Sequence, residues 1–223
     1  MPISPIPGFH EPFSSLSHLI GAGVYGVRYF WLLRSSRGHR HLTAYLAIYA
    51  FSCVLLLSMS GVYHLLPEGA ARAVLRRLDL AAIFILIAGT HTPVQGIFFR
   101  GVWRWGVLLL MWSIVAAGVT LFSIFADELP RGLGTGTFLL LGWIAGASGL
   151  VVWRRHGFNF VRPLILGGLA YSVGAIFLAF DGWMLIPGVI GAHELWHIAV
   201  LVAVTLHWQF MHRIGDPTRM VIS

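Results

Sequence analysis

The sequence HELWH, residues 193–197, places two histidines and a carboxylate at the start of a long apolar run, GAHELWHIAVLVAVTLHW. His193 and His197 are four residues apart, so in a helix they lie one turn apart on the same face. Two imidazoles in this arrangement can bind one metal ion, and zinc is the usual choice. Polar groups inside a membrane-spanning segment are costly, and they generally mark a functional site. The motif therefore indicates a metal site near the end of a spanning helix.

A second polar pair has the same spacing. Ser60 and His64, in SGVYH, end another apolar run, and Asp79 lies just inside the next one. Imidazoles from His64, His193 and His197, together with a water molecule, would give a four-coordinate zinc site with one open position, which is the form of a catalytic site. Asp79 has no basic residue at lipid depth to pair with, so a metal-bound water or a ligand imidazole would be its partner. Ser60, one turn deeper than His64, could orient an imidazole or the substrate.

The elements that must position these residues are membrane-spanning helices. Hydrophobic residues make up 57% of the 223 residues and charged residues only 10%, too little charge to cover a soluble globule. Seven apolar stretches are each near the roughly 20 residues that a spanning helix needs. They lie at about 15–33, 42–65, 77–98, 104–125, 134–153, 163–181 and 189–210. The sequence predicts an all-α membrane protein, a seven-transmembrane helix bundle forming one domain over residues 1–223, with short tails at 1–14 and 211–223.

Seven crossings would bring the candidate residues to one face of the membrane. Because successive helices alternate in direction, the start of an odd-numbered helix and the end of an even-numbered one lie on the same side. Residues at such positions are Glu11, His18, Ser60, His64, Asp79, His193 and His197. Scattered core histidines would not be expected to collect in this way. Three other histidines lie toward the opposite face and three lie in loops, so we expect none of the six to belong to the site: His91, His207, His212, His39, His41 and His156.

Each candidate residue also has a simpler interpretation. Histidines four residues apart in a membrane helix can hydrogen-bond neighbouring helices, and His64 can be an interfacial side chain. Ser60 can bond its own helix backbone. Asp79 follows Arg76 and Arg77 and can form an interfacial ion pair with them. Taken together, these interpretations require four independent coincidences on one membrane face.

In combination these residues resemble a known family. Ser60-x-x-x-His64, Asp79 in RRLDLAAIFILIAGTHTP and His193-x-x-x-His197 look like the haemolysin III proteins and their relatives, the adiponectin and progestin receptors. Alkaline ceramidases belong to the same broader group of membrane hydrolases. The resemblance covers essentially all seven predicted helices. It implies zinc held by His64, His193 and His197, with Asp79 holding the metal-bound water and Ser60 close by.

The resemblance departs from the family at one position. The family's first motif is a Glu, an Asn three residues on and a His four further, whereas this chain has Glu11, Ser14 and His18.

The expected function is zinc-assisted hydrolysis of a lipid amide or ester, since the site lies at membrane depth, and a ceramide-like amide is the first candidate by family analogy. The alternative is a non-catalytic, zinc-containing receptor or regulator of membrane lipids. Nothing resembling the polar stripe of a pore is visible.

HELWH also matches H-E-x-x-H, the metalloprotease motif in which the Glu is the general base. That motif needs a third ligand, commonly further along the chain. The only acidic residue after His197 is Asp216, about 28 Å away along a helix. A protease site would therefore need His64 as its third metal ligand. Glu194 points about 100° from His193 around the helix, so we expect it to support the ligands.

The charge pattern predicts an orientation. All 15 basic residues are arginines, which is typical of a GC-rich bacterial genome and favours the bacterial cytoplasmic membrane. The net charge of +7 does not indicate a nucleic-acid partner, because arginines at the loop edges of a membrane protein report orientation and phospholipid contact. Opposite the site lie Arg34, Arg37, Arg40, Arg100, Arg104, Arg154, Arg155, Arg162, Arg213 and Arg219; on the site face lie Arg72, Arg76, Arg77 and Arg131. The positive-inside rule then predicts a cytoplasmic C-terminus and a metal site toward the outside. The eukaryotic receptors of the family imply the reverse.

Tryptophans lie at the ends of the apolar runs. They are Trp31, Trp103, Trp105, Trp153, Trp183 and Trp208. Their amphipathic rings are favoured at the membrane–water boundary, so we expect them to form an interfacial belt.

Overall fold

The computed structural model describes residues 8–125, 128, 132–179, 184–187 and 189–215. Within these ranges the chain forms seven α-helices and one short antiparallel hairpin. The helices are α1 (Pro12–Ser35), α2 (Arg40–Leu65), α3 (Ala70–Phe98), α4 (Gly101–Ile124), α5 (Leu133–His156), α6 (Phe158–Ala179) and α7 (Ala192–Ile214). The strands β1 (Met184–Ile186) and β2 (Ile190–Gly191) precede α7. Arg131, Trp183, Asp216 and Arg219 lie outside the described residues.

The predicted seven-helix membrane bundle is confirmed. Among the described helices, α2, α4, α5 and α6 are long and apolar enough to cross a membrane by length and composition alone. Helices α1, α3 and α7 are less apolar because they contain ionisable residues such as Arg28, Asp79 and Glu194. These three helices and α2 carry the candidate site. The helices with lower hydropathy are therefore helices that contribute polar residues to that site.

Several helices extend beyond the predicted spans. Helix α3 begins at Ala70, well before residue 77, and α7 ends at Ile214. The added first turns of α3 read AARAVLRR, whose Ala, Leu and Arg favour helix but lower the local hydropathy. Hydropathy detects only the part of a helix that lies in lipid, whereas the backbone stays helical into the interface. Helix α1 begins at Pro12, a residue whose fixed φ suits the first helical position.

The main core lies between α1, α2, α3 and α7, which we call the packed half. Helix α2 packs against both α1 and α3, and α7 packs against α1 and α6. Leu46, Tyr49 and Leu57 of α2 and Phe210 of α7 have no exposed surface. Helices α4 and α5, which we call the outer helices, bury few residues. The bundle is therefore dense on one side and open on the other.

Some helix contacts in the packed half leave no room for a side chain at a glycine. A Cβ atom on Gly89 of α3 would lie 2.2 Å from the Ser52 Oγ atom of α2. A Cβ atom on Gly61 of α2 would lie 2.7 Å from the Leu19 Cγ atom of α1. Small residues at such contacts let the backbones of membrane helices approach each other. The contact at Gly61 is next to Ser60, so it fixes the end of α2 against α1.

Candidate metal centre

The end of α2 and the start of α7 bring three imidazoles together. The Nε2 atom of His193 lies 3.3 Å from Nε2 of His64 and 3.0 Å from Nε2 of His197. One ring nitrogen of each histidine lies within 4.8 Å of the others. His64 and His197 are each only 2% exposed, and His193 is partly buried. We call these three residues the triad.

The triad fits a zinc ion. Nitrogen ligands at about 2.0–2.1 Å from a tetrahedral zinc are separated from one another by about 3.3 Å, close to the Nε2 separations in the triad. Each neutral imidazole has a single N–H and one lone pair. The Nε2 atom of His193 is close to two other Nε2 atoms but carries at most one proton. Without a cation, it therefore cannot make a full hydrogen bond to both neighbours. A cation held by the three lone pairs satisfies all of them.

Glu11, the N-cap residue of α1, fixes the orientation of His64. The Nδ1 atom of His64 donates a hydrogen bond to Oε2 of Glu11, and Nη2 of Arg72 lies 3.1 Å from the same oxygen. A proton on Nδ1 leaves the Nε2 lone pair free for a metal, the arrangement by which carboxylates orient metal-ligating histidines. The backbone N–H of Glu11 also donates to the carbonyl oxygen of His64 at 3.0 Å. The start of α1 and the end of α2 are therefore joined at His64.

The charge of Glu11 is stabilised by its neighbours. Partial burial raises the pKa of the Glu11 carboxyl, but the hydrogen bond from His64 and the charge of Arg72 outweigh it and lower the pKa to about 2. Arg72 is only 5% exposed, and its guanidinium lies 4.5 Å from the centroid of the Tyr63 ring. Arg72 also donates to the carbonyl oxygen of Leu66 at 2.7 Å. The carboxylate is thus ionised, and it can only accept hydrogen bonds.

Asp79 and Ser60, the predicted catalytic residues, lie beside the triad. Asp79 is next to Ser60 and near His64, and all three line the same cavity. The Ser60 Oγ atom is 2.8 Å from Nδ1 of His18, so Ser60 contacts α1 in addition to its own helix. The ring of His18 packs on His197 with 4.0 Å between centroids. His18 is therefore a fourth imidazole at the centre, beyond the three predicted ligands.

Glu194, the middle residue of HELWH, is occupied by other contacts. Its Oε1 atom accepts a hydrogen bond from the Ser14 hydroxyl at 3.1 Å, and its Oε2 atom accepts one from the Gly191 backbone N–H at 2.9 Å. The second bond caps the start of α7. Ser14, which stands where the family has Asn, therefore ties α1 to α7 through Glu194. A carboxylate committed in this way is poorly placed to be the general base of a protease.

The triad opens into a cavity of about 670 Å³. Its walls come mainly from α3, α5, α6 and α7, and apolar side chains such as Leu86, Val94 and Leu139 dominate them. His91 and His207 also line this cavity, although the sequence predicted that they lie apart from the site. Both are buried, at 3% and 7% exposure. Periodicity alone could not reveal this, because it does not separate a helix face toward lipid from one toward an internal cavity.

Comparison with known proteins supports the predicted resemblance. The family profile described as Haemolysin-III related matches residues 9–208, a range that includes every predicted site residue. Hemolysin-3 of Bacillus cereus is 30% identical over 196 residues, which cover 86% of this chain and 85% of that protein. The Hemolysin-3 homolog of Bacillus subtilis (strain 168) is 32% identical over 154 residues, 69% of each chain.

A more distant relative comes from animals. The human monocyte to macrophage differentiation factor is 26% identical over 175 residues, which cover 74% of this chain and 70% of that protein. The three relatives match between 69% and 86% of this chain, and membership of a membrane family agrees with the apolar helices of the structure. The protein accordingly belongs to the haemolysin III-related family of integral membrane proteins.

Proposed function

We propose that the protein is a zinc-dependent hydrolase that cleaves a lipid amide within the membrane. The observation that carries the proposal is the convergence of His64, His193 and His197 at one end of an apolar cavity, beside the carboxylate of Asp79. When bound, zinc supplies a Lewis acid that activates water and polarises a carbonyl group. Three protein ligands leave a coordination position for this chemistry.

The residues around the triad have separate roles in this proposal. Glu11 holds His64 in the tautomer whose Nε2 atom faces the metal. Asp79 accepts a hydrogen bond or a proton from the attacking water, a contribution worth about 10²–10⁴-fold in rate. Ser60, which contacts His18 and lies next to Asp79, keeps these two groups in place.

The lining of the cavity supports a lipid as the substrate. Among the described residues that line it, Arg76 and Asp79 are the charged side chains apart from the histidines, and Asp79 lies at the triad. The remaining wall is largely apolar, so it suits an acyl chain whose amide carbonyl lies at the metal centre. The lining residues of α3 run from Asp79 to Val94, about 22 Å of helix rise, so an extended acyl chain can lie along the cavity. A ceramide-like amide is the first substrate to test.

The decisive experiment is turnover of a fluorescent ceramide by purified protein in phospholipid vesicles. We expect release of the labelled fatty acid, its loss after chelation, and its return when zinc but not magnesium is added. His212→Ala, which changes an exposed histidine on α7, is the matched control and should retain turnover. Stoichiometric zinc without turnover of any lipid amide would contradict the hydrolase and favour the non-catalytic receptor.

We also propose that the protein lies in a bacterial cytoplasmic membrane with its C-terminus in the cytoplasm and its metal centre toward the outside. The excess of arginines opposite the site supports this orientation. On the site face, Arg72 is paired with Glu11, so it adds little net charge there. A reporter fused to the C-terminus should be active in the cytoplasm. A reporter active only outside it would reverse the orientation.

A further inference from the structure

Away from the triad, two buried polar groups on the cavity wall have no hydrogen-bond partner among the described residues, in addition to Nε2 of His18 and Nδ1 of His197 at the triad end. Among the described residues, nothing hydrogen-bonds Nε2 of His91 or the hydroxyl of Tyr171. His91 is 3% exposed, and both residues line the cavity that begins at the triad. Buried polar groups are almost always hydrogen-bonded, and an unpaired one is destabilising. These two groups therefore call for a partner that enters the cavity.

His91 and Tyr171 lie far from the metal centre. His91 follows Asp79 on α3 by about 18 Å of helix rise, and His207 follows His197 on α7 by about 15 Å. Both helices start at the triad end, so His91 and His207 lie at similar depth. The Tyr171 and His207 rings are 5.6 Å apart between centroids. We call His91, Tyr171 and His207 the inner subsite.

The polarity of the inner subsite selects the kind of group that it can bind. The Nε2 atom of His207 donates to the Leu164 carbonyl oxygen at 3.1 Å, so its Nδ1 atom is left as an acceptor. The Tyr171 hydroxyl can both donate and accept. No arginine of the described part of α5, α6 or α7 lines this cavity. A neutral hydroxyl, which also donates and accepts, matches these groups better than a charged carboxylate does.

We propose that the inner subsite binds a hydroxyl group near the far end of an acyl chain whose head lies at the metal centre. The proposal rests on the proposed function in one respect, namely that the cavity holds the chain of a lipid. It adds that the preferred chain is hydroxylated at a distance from the carbonyl that matches the length of the cavity. Plain chains would end in a methyl group among unpaired polar atoms, which is unfavourable.

Competition binding with palmitate and ω-hydroxypalmitate tests this proposal. The readout is the ratio of the two Kd values for the purified full-length protein, measured against a fluorescent fatty acid. We expect a preference for ω-hydroxypalmitate that falls about 3- to 10-fold in Tyr171→Phe, which removes only the hydroxyl, and in His91→Leu. Comparing ratios between variants cancels the different partition of the two acids into the membrane.

Tyr25→Phe is the matched control. Its hydroxyl is bonded to Thr205 at 2.6 Å, and Tyr25 is not among the described residues lining the cavity. This variant should keep the parent's ratio. An unchanged ratio in Tyr171→Phe, or failure of the parent to bind either acid, would overturn the proposal. Zinc-free protein should show the same ratio as zinc-loaded protein, so failure of the metal chemistry and failure of the inner subsite are distinguishable.

Discussion

The packed half and the outer helices of the bundle differ in how completely their side chains are buried. In the packed half, Leu46 and Tyr49 are fully buried and some helix contacts leave no room for a side chain at a glycine. In the outer helices, Trp103 is 74% exposed, Leu109 is 70% exposed and Leu140 is 62% exposed. All three triad residues, together with Glu11, His18 and Asp79, belong to the packed half or its ends.

Under the proposed function, the two parts have different tasks. Metal ligands must be held within a fraction of an ångström, which requires tightly packed helices and hydrogen-bonded neighbours. A wall that covers an acyl chain needs only apolar surface, and α5 supplies it through residues such as Leu139 and Gly142. The packed half should therefore be sensitive to small changes that the outer helices tolerate.

The largest effect is expected from Asp79→Asn, a nearly isosteric change beside the triad. Turnover of a lipid amide, normalised to bound zinc, should fall about 10²–10⁴-fold, because the residue that accepts the proton is lost. Glu194→Gln is the matched control, and it should cost much less, because Glu194 is engaged with Ser14 and Gly191.

The reverse pattern would change the assignment. Full activity and full zinc in Asp79→Asn would remove Asp79 from the chemistry. Loss of turnover by several orders of magnitude in Glu194→Gln, with zinc retained, would support a protease-like site.

A smaller effect is expected from Glu11→Gln. The neutral amide is a weaker acceptor for His64 and leaves Arg72 without its buried counter-charge, so zinc affinity should fall about 10- to 100-fold. Glu68→Gln is the control, because Glu68 contacts the same Arg72 at 3.3 Å but its side chain is 80% exposed. Competition for zinc against a fluorescent chelator measures both. Equal affinities for the two variants would show that Glu11 does not position His64.

The smallest effect is one of stability. Gly89→Ala should destabilise the protein by about 1–3 kcal/mol, because a Cβ atom would meet Ser52 at 2.2 Å. Gly142→Ala, on α5, should be neutral or stabilising by up to about 1 kcal/mol, since no atom lies within 4 Å of its Cβ position. The fraction of protein that stays monodisperse after heating in detergent compares them. Similar losses in both variants would contradict the distinction between the packed half and the outer helices.

The sequence predicts the helices and their order well, because each apolar run is long and the connections are short. It also predicts that the end of α2 and the start of α7 lie on one membrane face, and the three imidazoles of the triad meet there. It misses the first turns of α3, because Arg72 and the neighbouring arginines lower the hydropathy of a segment that is helical. It also leaves the role of Glu11 open, because the contact between Glu11 and His64 joins residues distant in sequence.

The faces of the helices are harder to predict than their ends. Trp208 was expected in the interfacial belt, yet it is 2% exposed and packs on Tyr25 and Tyr49. His91 and His207 lie toward the face opposite the triad, as expected, yet both line the cavity into which the triad opens. In an apolar helix every face looks alike in the sequence, so the neighbours alone decide which side meets lipid, protein or cavity.

The most direct test of the metal centre is the zinc content of the purified protein and its histidine variants. We predict about one zinc per chain, and loss of most of it in each of His64→Ala, His193→Ala and His197→Ala, because three neutral imidazoles form the donor set. His212→Ala, on the same helix as two of the ligands but exposed, should keep full zinc. Full zinc in any of the three triad variants, or no zinc in the parent protein, would contradict the account.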